Sequence, residues 1–228
     1  MKGKLIIIEA GGDGSGKATQ TKKLFSRLKS EGYNIRKVEY PNYKSNSSAL
    51  VKMYLGGEFG TRPEDVNAYA ASTFYAVDRY ASYVKEWKRF YENGGIVLAD
   101  RYTTSNMVHQ ASKIEDEAEC NKYLDWLWDL EFVKLGLPVP DMVIFMDVPP
   151  VITNNLMLNR NNKITGGSKK DIHENDTEYL SKTYLNACRI ADKYKWSRID
   201  CIANNCLRNI DDIHNEIYDN VLKNLPLL

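Results

Sequence analysis

Short apolar, β-branched runs alternate with longer amphipathic stretches along this chain. The runs predict five strands, at 4–9, 34–39, 96–99, 142–147 and 197–202. Between them, apolar positions recur at helical spacing and predict helices at 18–31, 47–56, 63–93, 104–114, 117–135, 149–159, 175–195 and 209–224. Strands alternating with helices of this length are the pattern of βαβ units. The expected fold class is therefore α/β: three α/β/α layers around a five-stranded parallel sheet.

Length and composition narrow this picture. A chain of 228 residues with 43% hydrophobic content can bury one substantial core, and no Pro/Gly/Ser-rich linker divides it, so a single domain over 1–228 is expected. The formal net charge of +1 offers no field for nucleic acid or an anionic membrane, which points to small-molecule partners. No apolar run could span a bilayer, and Leu5 to Ile8 is too short for a secretory segment, so a cytoplasmic protein is expected. Cys120, Cys188, Cys201 and Cys206 lack metal-ligand spacing and fit a reducing compartment.

The candidate chemistry begins right after the first strand. Gly11, Gly12, Asp13, Gly14, Ser15, Gly16 and Lys17 follow it and precede a helical stretch, matching the Walker A spacing of a phosphate-binding loop. Glycines let successive N–H groups face one anion, the helix N-terminus adds partial positive charge, and the lysine reaches the outer phosphates. A plain glycine-rich turn is the bland alternative. Ala18 stands where Ser or Thr normally ligates Mg²⁺, and Thr19 is rotated about 100° around the helix. Weakened metal binding is expected there, since Mg²⁺ often keeps several waters and few protein ligands.

In a parallel sheet the ligand crevice lies beyond the carboxyl ends of the strands. Polar residues follow each strand there: Tyr40-Pro41-Asn42-Tyr43-Lys44, Asp100-Arg101-Tyr102 and Asp147-Val148-Pro149-Pro150. Arg101 either pairs with neighbouring Asp100 or binds an anion; Arg79 is similarly ambiguous on its helix. The segment 160–174, with Arg160, Lys163, Lys169 and Lys170, reads as a basic loop or as a solvated surface. Two arginines, a basic loop and a phosphate loop on one crevice favour a substrate carrying its own phosphate, whose oxygens a guanidinium matches in pairs.

Taken in order and spacing, 11–19, Tyr40-Pro41, 74–79, 97–102 with Ser105-Asn106, 140–150, Arg160 and 171–174 make the chain resemble the thymidylate kinase family of P-loop nucleoside monophosphate kinases. The resemblance implies transfer of the γ-phosphoryl of ATP to a pyrimidine deoxynucleoside monophosphate, dTMP to dTDP, with Mg²⁺ and in a homodimer. It implies that Gly11, Gly12, Asp13, Gly14, Ser15, Gly16, Lys17, Ala18, Thr19 and Arg160 hold ATP, with Asp13, Lys17, Arg101 and Arg160 catalytic. Asp13, Tyr43, Tyr75, Arg79, Arg101, Ser105, Asn106 and His109 would bind the acceptor: Arg101 its phosphate, Arg79 the thymine edge, Tyr75 the ring, Ser105 and Asn106 the base pocket. Asp13 and Asp100 would serve the metal, and 160–174 would be a lid. Cations on a charged in-line transition state are what phosphoryl transfer requires.

Three departures matter. Gly14 stands where some relatives carry an Arg, which shifts the transition-state cation to the basic segment. Pro41-Asn42-Tyr43-Lys44 lacks the Arg that relatives use on the acceptor phosphate, and His109 stands where many have Tyr. A kinase for another deoxynucleoside monophosphate and a nucleotide-binding protein without turnover therefore remain as alternatives.

Overall fold

The computed structural model describes residues 2–157, 177–204 and 206–225. The segment 160–174, and Arg160 with it, lies outside the described residues.

The chain opens with β1 (Lys4–Ala10), α1 (Lys17–Ser30), β2 (Ile35–Glu39) and α2 (Ala49–Leu55). It continues through α3 (Ala68–Ser82), α4 (Lys88–Glu92), β3 (Ile96–Asp100), α5 (Thr103–His109) and α6 (Glu117–Trp128). The last elements are β4 (Met142–Asp147), α7 (Pro150–Met157), α8 (Thr177–Lys193), β5 (Ser197–Asp200), the short strands β6 (Ile202–Ala203) and β7 (Cys206–Leu207), and α9 (Ile210–Leu222). β1 to β5 form one parallel sheet in the order β2-β3-β1-β4-β5.

The middle strand shows why the sheet is buried on both faces. Ile6 and Ile8 pack on one side with Leu24 and Leu28 of α1 and Ile213 and Ile217 of α9. Leu5 and Ile7 point the other way, onto Tyr40, Trp87, Val97 and Tyr102. Strand residues alternate between faces, so a run with no polar gap fits only a strand covered twice. Each such side chain contributes roughly 1.5–3 kcal/mol by leaving water.

Three sequence expectations are corrected here. The helix predicted over 63–93 begins later, because Asn67 caps α3 by accepting from Ala70 N–H while Pro63 opens a separate 3₁₀ turn. It then runs through a π-helical turn, Tyr83–Trp87, before α4, and a second π turn, Asp129–Lys134, extends α6. The strand predicted over 197–202 stops at Asp200, and an antiparallel β6–β7 pair follows. Asn204, with φ 51, turns that hairpin, a conformation asparagine tolerates better than most residues.

Candidate active site

The phosphate loop sits where β1 hands over to α1. Gly14 and Gly16 adopt φ of 75 and 85, the left-handed region that glycine enters without a Cβ penalty. Gly16 caps α1 with no side-chain hydrogen bond, and no acidic residue occupies the first turn, so the helix presents its N–H groups uncapped by a carboxylate. Gly11 lies under α8: a Cβ there would come within 3.0 Å of the Tyr184 ring. Tyr184 is itself fixed, its hydroxyl donating to Asp147 Oδ1 at 2.8 Å while Arg198 holds Asp147 Oδ2.

Lys17 is almost fully buried, and its ammonium donates to Gly12 O at 2.6 Å and Ser15 Oγ at 3.3 Å. Burial, and then the nearby Arg101 cation, push its pKa down to about 8. A buried cation bonded to a carbonyl and a hydroxyl is well placed to exchange them for phosphate oxygens.

Arg101 follows β3 with φ 68, a strained value for a residue with a side chain, while its N–H donates to Ile8 O at 3.2 Å. The guanidinium meets Asp13 Oδ1 at 2.5 Å, Glu9 Oε1 at 3.6 Å, His109 Nε2 at 3.1 Å and Ser105 Oγ at 3.4 Å. Burial alone would raise the Asp13 carboxyl, but Arg101 and then Lys17 outweigh it and hold Asp13 well below the usual carboxylate range. The same pairing overcomes burial and raises Arg101 further above its ordinary value. The Arg101 guanidinium is joined to Asp13 and Glu9, and the Asp100 charge adds to the field that holds it protonated.

The structure brings Asp13, Lys17, Arg101, Ser105 and His109 into one cluster. Ala18 and Thr19 lie exposed on the first turn of α1. Tyr43 and Tyr75 are half-buried around Val51, Tyr54 and Ala71. The loop bearing Tyr43 is tied down from α3: Asp78 accepts from Asn42 N–H at 2.7 Å and from Ser47 Oγ at 2.6 Å.

Arg79 is anchored by a residue far away in the chain. It is 1% exposed, and its Nε and Nη2 donate to Glu131 at 2.7 and 2.5 Å. Nη1, 3.3 Å from Tyr102 O, and the second hydrogen of Nη2 remain uncommitted to Glu131. An arginine with a carboxylate of its own cannot turn its whole fork to a base, because leaving Glu131 buried and uncompensated is costly.

Four residues of this region escaped the sequence reading: Glu9, Asp78, Glu131 and Tyr184. Glu9 carried a signal, since a carboxylate ending an apolar strand is rarely buried without partners. It is fully buried and accepts from Thr104 Oγ1 at 2.8 Å, Ser105 Oγ at 2.6 Å and Ala10 N–H at 3.0 Å. The other three look like ordinary helix residues until distant elements meet.

A parallel sheet with β1 at its centre, a glycine loop entering a helix, and a buried lysine beside an arginine paired with a part-exposed aspartate define a P-loop nucleotide kinase. Known proteins give the same result. The family model described as "Thymidylate kinase" matches residues 8–217. A thymidylate kinase from Mycobacterium tuberculosis is 31% identical over 180 residues, 78% of this chain and 81% of that one. One from Plasmodium falciparum is 28% identical over 222 residues, covering 97% and 91%. The solved thymidylate kinase structure from Candida albicans superposes with a TM-score of 0.70 at 20% identity, covering 98% of this chain and 92% of that one. The chain belongs to the thymidylate kinase family, and is a nucleoside monophosphate kinase.

Proposed function

We propose that the protein phosphorylates dTMP to dTDP at the expense of ATP. The observation that carries this reading is the Asp13–Arg101 pair, which sets one cation on the phosphate loop and a second beside it within a single cluster. Lys17 and the loop N–H groups bind and orient the donor phosphates. Arg101 leaves Asp13 to hold the acceptor phosphate, and the two cations bring the reacting groups into line and neutralise the charge that spreads over the transferred group. Arg160, with Lys163, Lys169 and Lys170, is assigned the remaining transition-state charge.

Mg²⁺ fits the donor set. Mg²⁺ takes few protein carboxylates and completes its shell with phosphate oxygens and water. Asp13, kept ionised by its cationic neighbours, and Asp100 would hold it. When bound, the ion supplies further neutralisation of phosphate charge.

Tyr75 and Tyr43 are assigned the acceptor's ring and sugar side, with Ser105, Asn106 and His109 closing the pocket. Val77 and Tyr80 of α3 and Val84 of the π turn that continues it, exposed and three to four residues apart, support a homodimer through that face. Four cysteines without disulfides, and no helix among the described residues long and apolar enough to cross a membrane, support a cytoplasmic location.

The deciding experiment is a coupled assay of ADP release with a panel of nucleoside monophosphates. The highest kcat/KM is expected with dTMP. Higher activity on another monophosphate moves the substrate assignment, and nucleotide binding without ADP release overturns turnover itself.

A further inference from the structure

Glu131 is fully buried, on the π-helical turn that ends the α6 segment. Its carboxylate accepts from Arg79 Nε and Nη2, from Thr103 Oγ1 at 2.7 Å and from Asn106 Nδ2 at 3.4 Å. Three separate elements, α3, the start of α5 and the π turn, thus converge on one charge. Replacing a buried ion pair by packed apolar side chains is often neutral or stabilising. Stability is therefore a poor reason for this arrangement, and geometry is a better one.

The network fixes the polarity of two side chains. Asn106 Nδ2 also faces Ser72 O at 3.3 Å, so both of its neighbours are acceptors. The amide must keep its nitrogen toward them, which turns Oδ1 the other way. Arg79 has only donors to offer, and with Nε and one Nη2 hydrogen held by Glu131 it presents the edge formed by Nη1 and the second Nη2 hydrogen.

We propose that Glu131 is a specificity-determining positioning residue, holding a donor, Arg79 Nη1, and an acceptor, Asn106 Oδ1, in the order that fits thymine and opposes cytosine. This rests on the reading that Arg79 and Asn106 face the base. Thymine offers a 4-oxo acceptor and an N3–H donor. Cytosine presents a 4-amino donor and a bare N3, so it meets donor with donor and acceptor with acceptor. Glutamine at 131 would remove the charge and one of the acceptors, loosening the hold on both Arg79 and Asn106 and leaving Ser72 O alone to keep the Asn106 nitrogen in place.

The test measures kcat/KM for dTMP and dCMP in the wild type and Glu131→Gln, with binding of N3-methyl-dTMP alongside. The wild type should bind N3-methyl-dTMP roughly tenfold or more weaker than dTMP, and Glu131→Gln should lower the dTMP-to-dCMP ratio by a similar factor at unchanged KM for ATP. A folded Glu131→Gln enzyme with the wild-type ratio overturns the role of Glu131. Wild-type binding of N3-methyl-dTMP as tight as dTMP instead overturns the underlying assignment of Asn106 to the base. Should Glu131→Gln not fold, Thr103→Val, which removes one hydrogen bond to the same carboxylate, must lower the ratio in the same direction; an unchanged ratio there also overturns the proposal.

Discussion

Arg101 Nη2 stands 2.5 Å from Asp13 Oδ1, so the end of β3 and the phosphate loop are joined before any phosphate arrives. An acceptor phosphate must compete with that carboxylate for the guanidinium. Arg101→Ala is therefore expected to raise the KM for dTMP by at least roughly tenfold, the loss that goes with removing a charge-assisted hydrogen bond worth about 1.5–3 kcal/mol. The KM for ATP should change little. Calorimetry showing unchanged dTMP affinity and a lowered thermal midpoint would make Arg101 a structural partner of Glu9 and Asp13 instead.

Lys17 should be costly to the empty fold and indispensable to turnover. Its folded pKa of about 8 lies below the ordinary lysine value of 10.5, so between those pH values the folded protein binds fewer protons than the unfolded chain. Through this group stability rises with pH across that window, and at pH 7 the charged form carries its full burial cost. Lys17→Met should raise the thermal midpoint of the ligand-free protein at pH 7 while lowering kcat by about 10²–10³. A lower midpoint in differential scanning calorimetry contradicts the first half; near-normal turnover contradicts the second.

The same pKa makes ATP binding a protonation event. Phosphate oxygens favour the charged ammonium, so above pH 8 the nucleotide must draw a proton onto Lys17. Titration calorimetry near pH 8.5, in buffers of different ionisation enthalpy, should show net proton uptake that disappears in Lys17→Met, with ATP affinity falling as pH rises further. Equal uptake in the variant assigns the proton elsewhere.

Ala18 is exposed on the first turn of α1, with space for a hydroxyl. Ala18→Ser should increase the apparent Mg²⁺ affinity in the presence of ATP, read from a metal titration of activity. If the titration is unchanged, the metal is held by another route and Ala18 is no defect.

Arg79→Ala should destabilise the fold by about 3–5 kcal/mol, because it strands Glu131 in the core without its counter-charge. Urea unfolding followed by tryptophan fluorescence measures this. A cost below about 1 kcal/mol means that water or rearrangement relieves the carboxylate.

The sheet was legible in the sequence because strands such as 5–8 and 142–146 are buried on both faces and so read as unbroken apolar runs. The turn between β1 and α1 was legible because its left-handed angles at Gly14 and Gly16 are ones that glycine itself announces. The anchoring of Arg79 was not legible, because its partner Glu131 lies 52 positions away on a π turn and nothing in local spacing joins the two. Glu9 was overlooked, although its place at the end of an apolar strand marked it. The hairpin after Asp200 was passed over because two-residue strands hardly register as periodicity.

The left-handed backbone of Arg101 makes position 101 a record of selection. A turn with φ 68 is most comfortable with glycine, or failing that asparagine, and arginine persists there only where its charge is worth the strain. In a lineage that kept the turn but abandoned phosphoryl transfer, drift should run toward Gly or Asn. In one still catalysing, it should stay with a cation. On the acceptor role proposed for Arg101, a cation at this point in a relative is expected to accompany kinase activity, and Gly or Asn its loss, which assays of such relatives check.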